Sequence, residues 1–172
     1  MKTGVTGART RTVTWEDPAP GLAQAADMTG LEYVRAIFAG RLPPPPMAEL
    51  MGFAGAEAEE GRAVFKSEVG EHLYNPIGVV HGGYAMTVLD SAMGCAINTL
   101  LARGERYTTL ETKVNFVRPI TLETGPVRCE GTVIHRGRRV ATAEGRLIAE
   151  RSGKLLAHAT TTCLIEGTDS RT

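Results

Sequence analysis

The 172-residue chain is short of aromatic rings. With four Phe, four Tyr and one Trp, an apolar pocket is expected to draw on Met86, Met93, Leu50, Met51 and Phe53, which fit aromatic and medium aliphatic groups alike. Net charge is also lacking: nineteen Lys and Arg balance nineteen Asp and Glu, so neither nucleic acid nor an anionic membrane is implied as a bulk partner. Cysteine is sparse and odd in number. Cys95, Cys129 and Cys163 are widely spaced in apolar or alternating surroundings, which reads as reduced core thiols rather than a disulfide framework, and gives no zinc spacing. His72, His81, His135 and His158 show neither an i, i+4 pair nor companion carboxylates, so no metal is expected. No Gly-x-Ser-x-Gly elbow occurs, which removes a serine-nucleophile hydrolase. No apolar run is long enough to cross a bilayer, and the basic start of the chain is not followed by the apolar stretch of a secretory leader. A soluble, cytoplasmic protein is expected. The length suits one domain with a real core, and there is no internal repeat.

What the chain does contain is one unusual stretch, Asn75-Pro76-Ile77-Gly78-Val79-Val80-His81-Gly82-Gly83, followed by an apolar run to Ala102. Within that run Asp90 is the sole charged side chain. Burying an ion unpaired costs several kcal/mol, so Asp90 must meet water, a partner group, another subunit or a reaction. Helical spacing gathers Gly83, Thr87, Asp90, Ser91, Gly94 and Asn98 into a small, polar stripe. Ala85, Val88, Leu89, Ala92, Met93, Ala96 and Leu100 cover the other faces. The glycine pair after His81 reads either as a tight turn into the helix or as a place where backbone approaches a ligand. In the second reading the first N–H groups of the helix receive a developing oxyanion.

Taken in order, residues 1–28 read as a mobile arm with no periodicity, in which Trp15 is expected to dock on the domain or on a sister subunit. Residues 29–52 read as short helices and a Pro-rich linker: apolar residues at helical spacing follow a Thr29 or Asp27 cap and stop at Gly40, then come four prolines and a helical turn at 47–51. Residues 53–166 read as the main domain and 167–172 as a C-terminal tail. Strands are expected over 53–60, 62–69, 107–118, 125–135, 138–150 and 154–165, with the long helix ending near Arg103-Gly104. Two strands, one long apolar helix and four antiparallel strands predict an α+β domain in which a curved sheet wraps the helix.

Asn75, His81-Gly82-Gly83 and Asp90 together resemble the motif of the hot-dog-fold acyl-CoA thioesterases, in the branch of the phenylacetate-pathway enzymes. The resemblance covers roughly residues 50–166 and includes the strand from Thr108 to Pro119. It implies hydrolysis of acyl-CoA thioesters with aromatic or short to medium acyl groups. Asp90 would be general base or nucleophile, Gly82 N–H, aided by Gly83, the oxyanion donor, and Asn75 a hydrogen-bond donor to the thioester or its water. His81 would fix the loop. Thr109 would position the water, with Thr108 as the register alternative. The basic hairpin with Arg136, Arg138 and Arg139 reads as a solvated turn or as a contact for the nucleotide phosphates of coenzyme A. No cofactor is implied, coenzyme A being part of the substrate. A homodimer or homotetramer is implied, the acidic residue facing the other subunit's Gly-Gly turn. A non-catalytic acyl-CoA-binding module and a hot-dog hydratase or dehydratase are the alternatives.

Overall fold

The computed structural model describes residues 7–167; the first six residues of the expected arm and residues 168–172 of the tail lie outside the described residues. Six strands, β1 Phe53–Glu59, β2 Arg62–Ser67, β3 Arg106–Phe116, β4 Val127–Arg136, β5 Val140–Ala149 and β6 Leu155–Glu166, form one antiparallel sheet. Its order is β1-β2-β4-β5-β6-β3, which leaves β1 and β3 at the edges. Short helices α1 Ala19–Ala25, α2 Gly30–Phe38 and α3 Pro46–Met51 precede the sheet, and the long helix α4, Gly82–Asn98, lies between β2 and β3. This is the hot-dog architecture: a curved sheet around a central helix.

The helix is held by its apolar faces. Val88, Leu89, Ala92, Met93, Ala96 and Ile97 are buried, and each large side chain among them contributes about 1.5–3 kcal/mol of burial. The closeness of the contact comes from two facing glycines. Gly131 on β4 and Gly145 on β5 are register partners. A Cβ on Gly131 would stand 2.3 Å from the Ala92 carbonyl oxygen, and one on Gly145 3.0 Å from Leu89 and Met93 side-chain carbons. Without side chains at these two points Gly131 receives the backbone of α4 directly and Gly145 the side chains of Leu89 and Met93.

Helix α2 follows its sequence signals. Thr29 caps it with a reciprocal Glu32 contact, and Gly40 takes a left-handed φ of 69° just past its end. It docks against the end of α4, its Gly30 N–H donating to Leu101 C=O at 3.0 Å. A Cβ on Gly30 would lie 1.6 Å from the Asn98 carbonyl oxygen. This contact corrects the expected helix end: α4 stops at Asn98, because α2 crosses its path there and Thr99 turns the chain away. The buried Thr99 hydroxyl donates to Ala96 C=O at 2.6 Å and accepts from Gly61 N–H at 2.8 Å. Gly104 instead makes the turn into β3 with a φ of 79°.

Two readings of the N-terminal region also change. The stretch expected to lack regular structure contains α1, begun by Pro18 and Pro20, since proline is tolerated in a first helical turn. Trp15 is 62% exposed, so of the two surfaces expected to hold it, the domain and a sister subunit, the domain of its own chain is not used. Residues before α1 touch the rest of the molecule through arginines: Arg9 pairs with Glu71, and Arg11 donates to the carbonyls of Leu50 and Glu49.

Gly131→Ala tests the glycine contact. Its Cβ would meet backbone rather than a movable side chain, so the variant should lose about 1–3 kcal/mol, the usual cost of overpacking, in a urea titration. An unchanged midpoint would show that the helix has room to retreat.

Candidate functional site

The loop before α4 is built from its own polar groups. Asn75 Oδ1 accepts from the N–H groups of Ile77 (3.1 Å) and Val79 (3.3 Å), the local turn that asparagine before proline favours. Asn75 N–H donates to Val79 C=O at 2.8 Å, and His81 N–H to Leu73 C=O at 2.8 Å. His81 is the N-cap of α4, its Nδ1 accepting from Gly83 N–H at 2.9 Å. A neutral ring that accepts at Nδ1 carries its proton on Nε2, so His81 faces the outside as a donor.

This cap divides the two glycines. Gly83 N–H is taken by His81, which corrects the expectation that it aids Gly82 at an oxyanion. Gly82 N–H has no acceptor among the described residues, and Gly82 lines a cleft of about 430 Å³ with Asn75, Val80, Phe116, Arg118 and Leu156. A Cβ on Gly82 would touch the Phe116 ring at 3.0 Å. None of the five residues expected to line an apolar pocket lines this cleft: Met93 and Phe53 are buried in the core, Met51 is half-buried against it, and Met86 and Leu50 are exposed.

Asp90 stands two turns further along α4, on its half-buried stripe, and faces β3. Thr109 Oγ1 donates to Asp90 Oδ1 at 3.1 Å, and Thr112 Oγ1 lies 3.5 Å from the same oxygen. Two threonines three apart share a face because the pairing of β3 with β6 shifts between Thr109 and Glu111. Ordinary alternation puts Thr109 toward Asp90, while Thr108 is exposed on the other face. Among the described residues no cation pairs with Asp90. Neutral groups surround it: burial and then the Asp90 charge push the Cys95 thiol up to about 12. Burial likewise raises Tyr107 well above its ordinary value, with Cys95, Asp90, Cys163 and Tyr33 adding to the effect.

The structure therefore brings Asp90 and Thr109 together, and separately Asn75, His81 and Gly82. Eight residues of helix place Gly82 about 12 Å from Asp90 along the axis, so one chain does not hold both against one carbonyl. The arginine hairpin joins neither group. It sits where β5 leaves beside Leu164, near the start of β3, whereas the cleft lies by Phe116 at its far end. Arg136 is engaged by Glu105, with both carboxylate oxygens at 2.7 Å from Nη2; Arg138 and Arg139 are exposed. Sequence reasoning missed Arg118 at the cleft, where Nη1 donates to Leu155 C=O at 2.7 Å. It also missed Thr112 and Thr161. A strand-period pattern gave no sign of the bulge that turns Thr112 inward, but the run Thr160-Thr161-Thr162 was a visible signal of hydroxyls in a core strand.

Among the described residues no group of three or more His, Cys, Asp or Glu is placed to hold a metal ion, and no helix is long and apolar enough to cross a membrane. A family model described as the thioesterase superfamily matches residues 77–156, which carry the Gly82 turn, Asp90 and Thr109. A conserved protein, PA5202, of Pseudomonas aeruginosa is 30% identical, the match covering 72% of this chain and 95% of that one with a TM-score of 0.66. The chain belongs to the thioesterase superfamily. A phenylacetic acid degradation-related protein of Ralstonia eutropha JMP134, provisionally assigned as a thioesterase, is 28% identical over 77% of this chain and 98% of that one, TM-score 0.69. The protein smu.793 of Streptococcus mutans UA159, solved bound to acetyl-CoA, is 25% identical over 67% of this chain and 90% of that one, TM-score 0.61. SSO1253 of Saccharolobus solfataricus, provisionally named an esterase, is 31% identical over 99 residues, 56% of this chain and 64% of that one. The chain thus spans less than two thirds of the length of the curated esterases it matches.

Replacing His81 separates cap from chemistry. His81→Ala should cost about 0.5–2 kcal/mol, as loss of an N-cap does, in thermal or urea unfolding, whereas His81→Asn, which also caps, should recover most of it. Equal stability of the alanine variant would contradict the cap.

Proposed function

We propose that this thioesterase-superfamily member hydrolyses acyl-CoA thioesters, with aromatic or short to medium acyl groups, to the free acid and coenzyme A. One observation carries the reading: α4 presents at its start an N–H with no acceptor among the described residues, and on its half-buried stripe a carboxylate with no cation among them, held by a hydroxyl. Those are the two groups that thioester hydrolysis needs, a donor for the oxyanion and a base or nucleophile for the carbonyl carbon. The acetyl-CoA bound to the Streptococcus mutans relative supports a coenzyme A thioester as ligand.

In this reading two chains share each site. Their approximately 12 Å separation within one helix is resolved when the Asp90 of one copy faces the Gly82 turn of another. Strand β3, an edge strand with Leu110, Phe116 and the adjoining Val117 exposed, is the surface for that contact. The carbonyl oxygen accepts from Gly82 N–H. Asp90 either takes a proton from water as the water adds to the carbonyl carbon, or adds itself to form an anhydride that water opens. In both routes the C–S bond breaks and coenzyme A leaves as the thiolate, which takes its proton from Asp90 in the first route and from water in the second. Thr109 holds the carboxylate in line. Asn75 contributes through its amide N–H₂, since its oxygen is spent on the loop. The coenzyme A phosphates are assigned to Arg118 at the cleft and to the exposed Arg138 and Arg139 of the other copy's hairpin, because the hairpin of the same chain lies at the opposite end of β3. Arg136, held by Glu105, is left a structural role.

A free-thiol assay over aryl, short-chain and medium-chain acyl-CoAs tests the reaction. Turnover of at least one class is expected; tight binding without turnover of any would point to a binding module instead. Asp90→Asn should keep the fold and acyl-CoA binding while losing about 10²–10⁴ in kcat. Gly82→Pro removes the N–H while proline remains acceptable at a first helical position, and Gly82→Ala, which keeps the N–H but sets the same Cβ 3.0 Å from the Phe116 ring, is its control. The proline variant should lose about 10²–10³ in kcat, as loss of an oxyanion donor does. Near-wild-type turnover in a folded Asp90→Asn variant would end the assignment.

A further inference from the structure

Behind Asp90 a line of hydroxyls runs into the sheet, and counting its protons gives an asymmetry. Thr161 on β6 is 2% exposed, and its Oγ1 lies 2.7 Å from the backbone carbonyl oxygen of Glu111. A carbonyl only accepts, so the one proton of Thr161 is spent there. Toward Thr112, whose Oγ1 is 3.1 Å away, Thr161 therefore offers a lone pair alone. Thr112 also has one proton and two acceptors for it: Thr161 Oγ1 at 3.1 Å and Asp90 Oδ1 at 3.5 Å. In this geometry the proton points at Thr161, because 3.5 Å is long for an O–H···O bond. Thr109 has no such conflict. Cys163 Sγ is placed to donate to it at 3.8 Å, and its own proton goes to Asp90.

We propose that Thr112 is a positioning residue whose single proton is contested between the Asp90 carboxylate and Thr161, and that Thr161 is the acceptor that holds it back. The proposal rests on the assignment of Asp90 as base or nucleophile. When Asp90 is ionised, a small movement lets Thr112 join Thr109 on the same oxygen. When Asp90 loses its charge, by taking a proton from water or by bonding to the acyl carbon, Thr112 returns to Thr161. The carboxylate thus keeps one permanent and one withdrawable donor, and its charge is never fully quenched by hydrogen bonds.

Other groups near Asp90 leave the test readable. Cys95 of α4, Tyr107 of β3, Cys163 of β6 and Tyr33 of α2 are all raised above their ordinary values, chiefly by burial, and remain neutral at pH 4–8. Glu111 is exposed and takes the Thr162 hydroxyl at 2.7 Å.

The two replacements have opposite signs. Thr112→Val deletes the withdrawable donor, so the acidic limb of the kcat/KM profile should move up by roughly half to one pH unit. Thr161→Val deletes the competitor, so Thr112 turns to Asp90 and the limb should move down by a similar amount. Thr112→Ser should restore the wild-type limb, and Thr112→Val with Thr161→Val should behave as Thr112→Val alone. The same midpoints are read without substrate by carboxyl ¹³C titration of aspartate-labelled protein, in which the chain's few aspartates are assigned with Asp90→Asn. If the wild type turns over no acyl-CoA while the carboxyl titration still shows the two opposed shifts, the hydroxyl relay stands and the function proposed above fails. Shifts of the same sign, or none, in folded variants overturn the relay. Should Thr161→Val fail to fold, Thr112→Val against Thr112→Ser decides it.

Discussion

The approach of the α4 backbone to Gly131, with the Leu89 and Met93 side chains seated over its register partner Gly145, sets the depth of every other group on that helix. With the sheet backbone this close, Val88, Leu89, Ala92, Met93, Ala96 and Ile97 are buried on its concave side. The helix face that remains turns toward β3 at a distance short side chains can bridge. Hydroxyls suffice there: Asp90 is reached by Thr109 at 3.1 Å, with no cation needed. A carboxylate kept in place by neutral donors retains its charge for a reaction. An arginine in the same place would have claimed it, as Arg136 does with Glu105.

Much of this was legible in the residues. The order of elements follows from alternation and helical spacing, which report which side of each segment is buried. His81-Gly82-Gly83, Asn75 and Asp90 stood out because polar side chains and a glycine pair are conspicuous beside an apolar run. The remainder depended on contacts between distant segments. Nothing local says that α2 will cross α4 at Asn98, so the helix was expected to run to the next glycine and cation. Nor does a period of two anticipate the shift in β3 that brings Thr112 round to the side of Thr109. Met93 and Phe53 were assigned to a pocket because apolar residues read alike whether they line a cavity or fill a core. For the arginine hairpin, composition gave the charge but not its neighbours, and Glu105 had already taken one of the three.

The same helix that carries both halves of the proposed chemistry also keeps them apart. An N–H at its first residue and a carboxylate two turns later cannot converge on one carbonyl, since a helix is rigid over that span and the gap is about 12 Å. An edge strand that exposes Leu110 and Phe116 beside them offers a way out through a second copy. A two-fold pairing would close the otherwise open edge and set each carboxylate against the other chain's glycine turn.

Subunit complementation tests this most directly. Asp90→Asn and Gly82→Pro chains, each inactive alone, would be co-expressed with different tags and assayed together. If sites form between chains, a mixed dimer has one site with both groups intact and one with neither. Half the dimers being mixed, about a quarter of wild-type activity should return, and purified mixed dimers should show about half. Activity that stays at the level of the two parents, in mixtures shown to contain mixed dimers, would contradict a shared site.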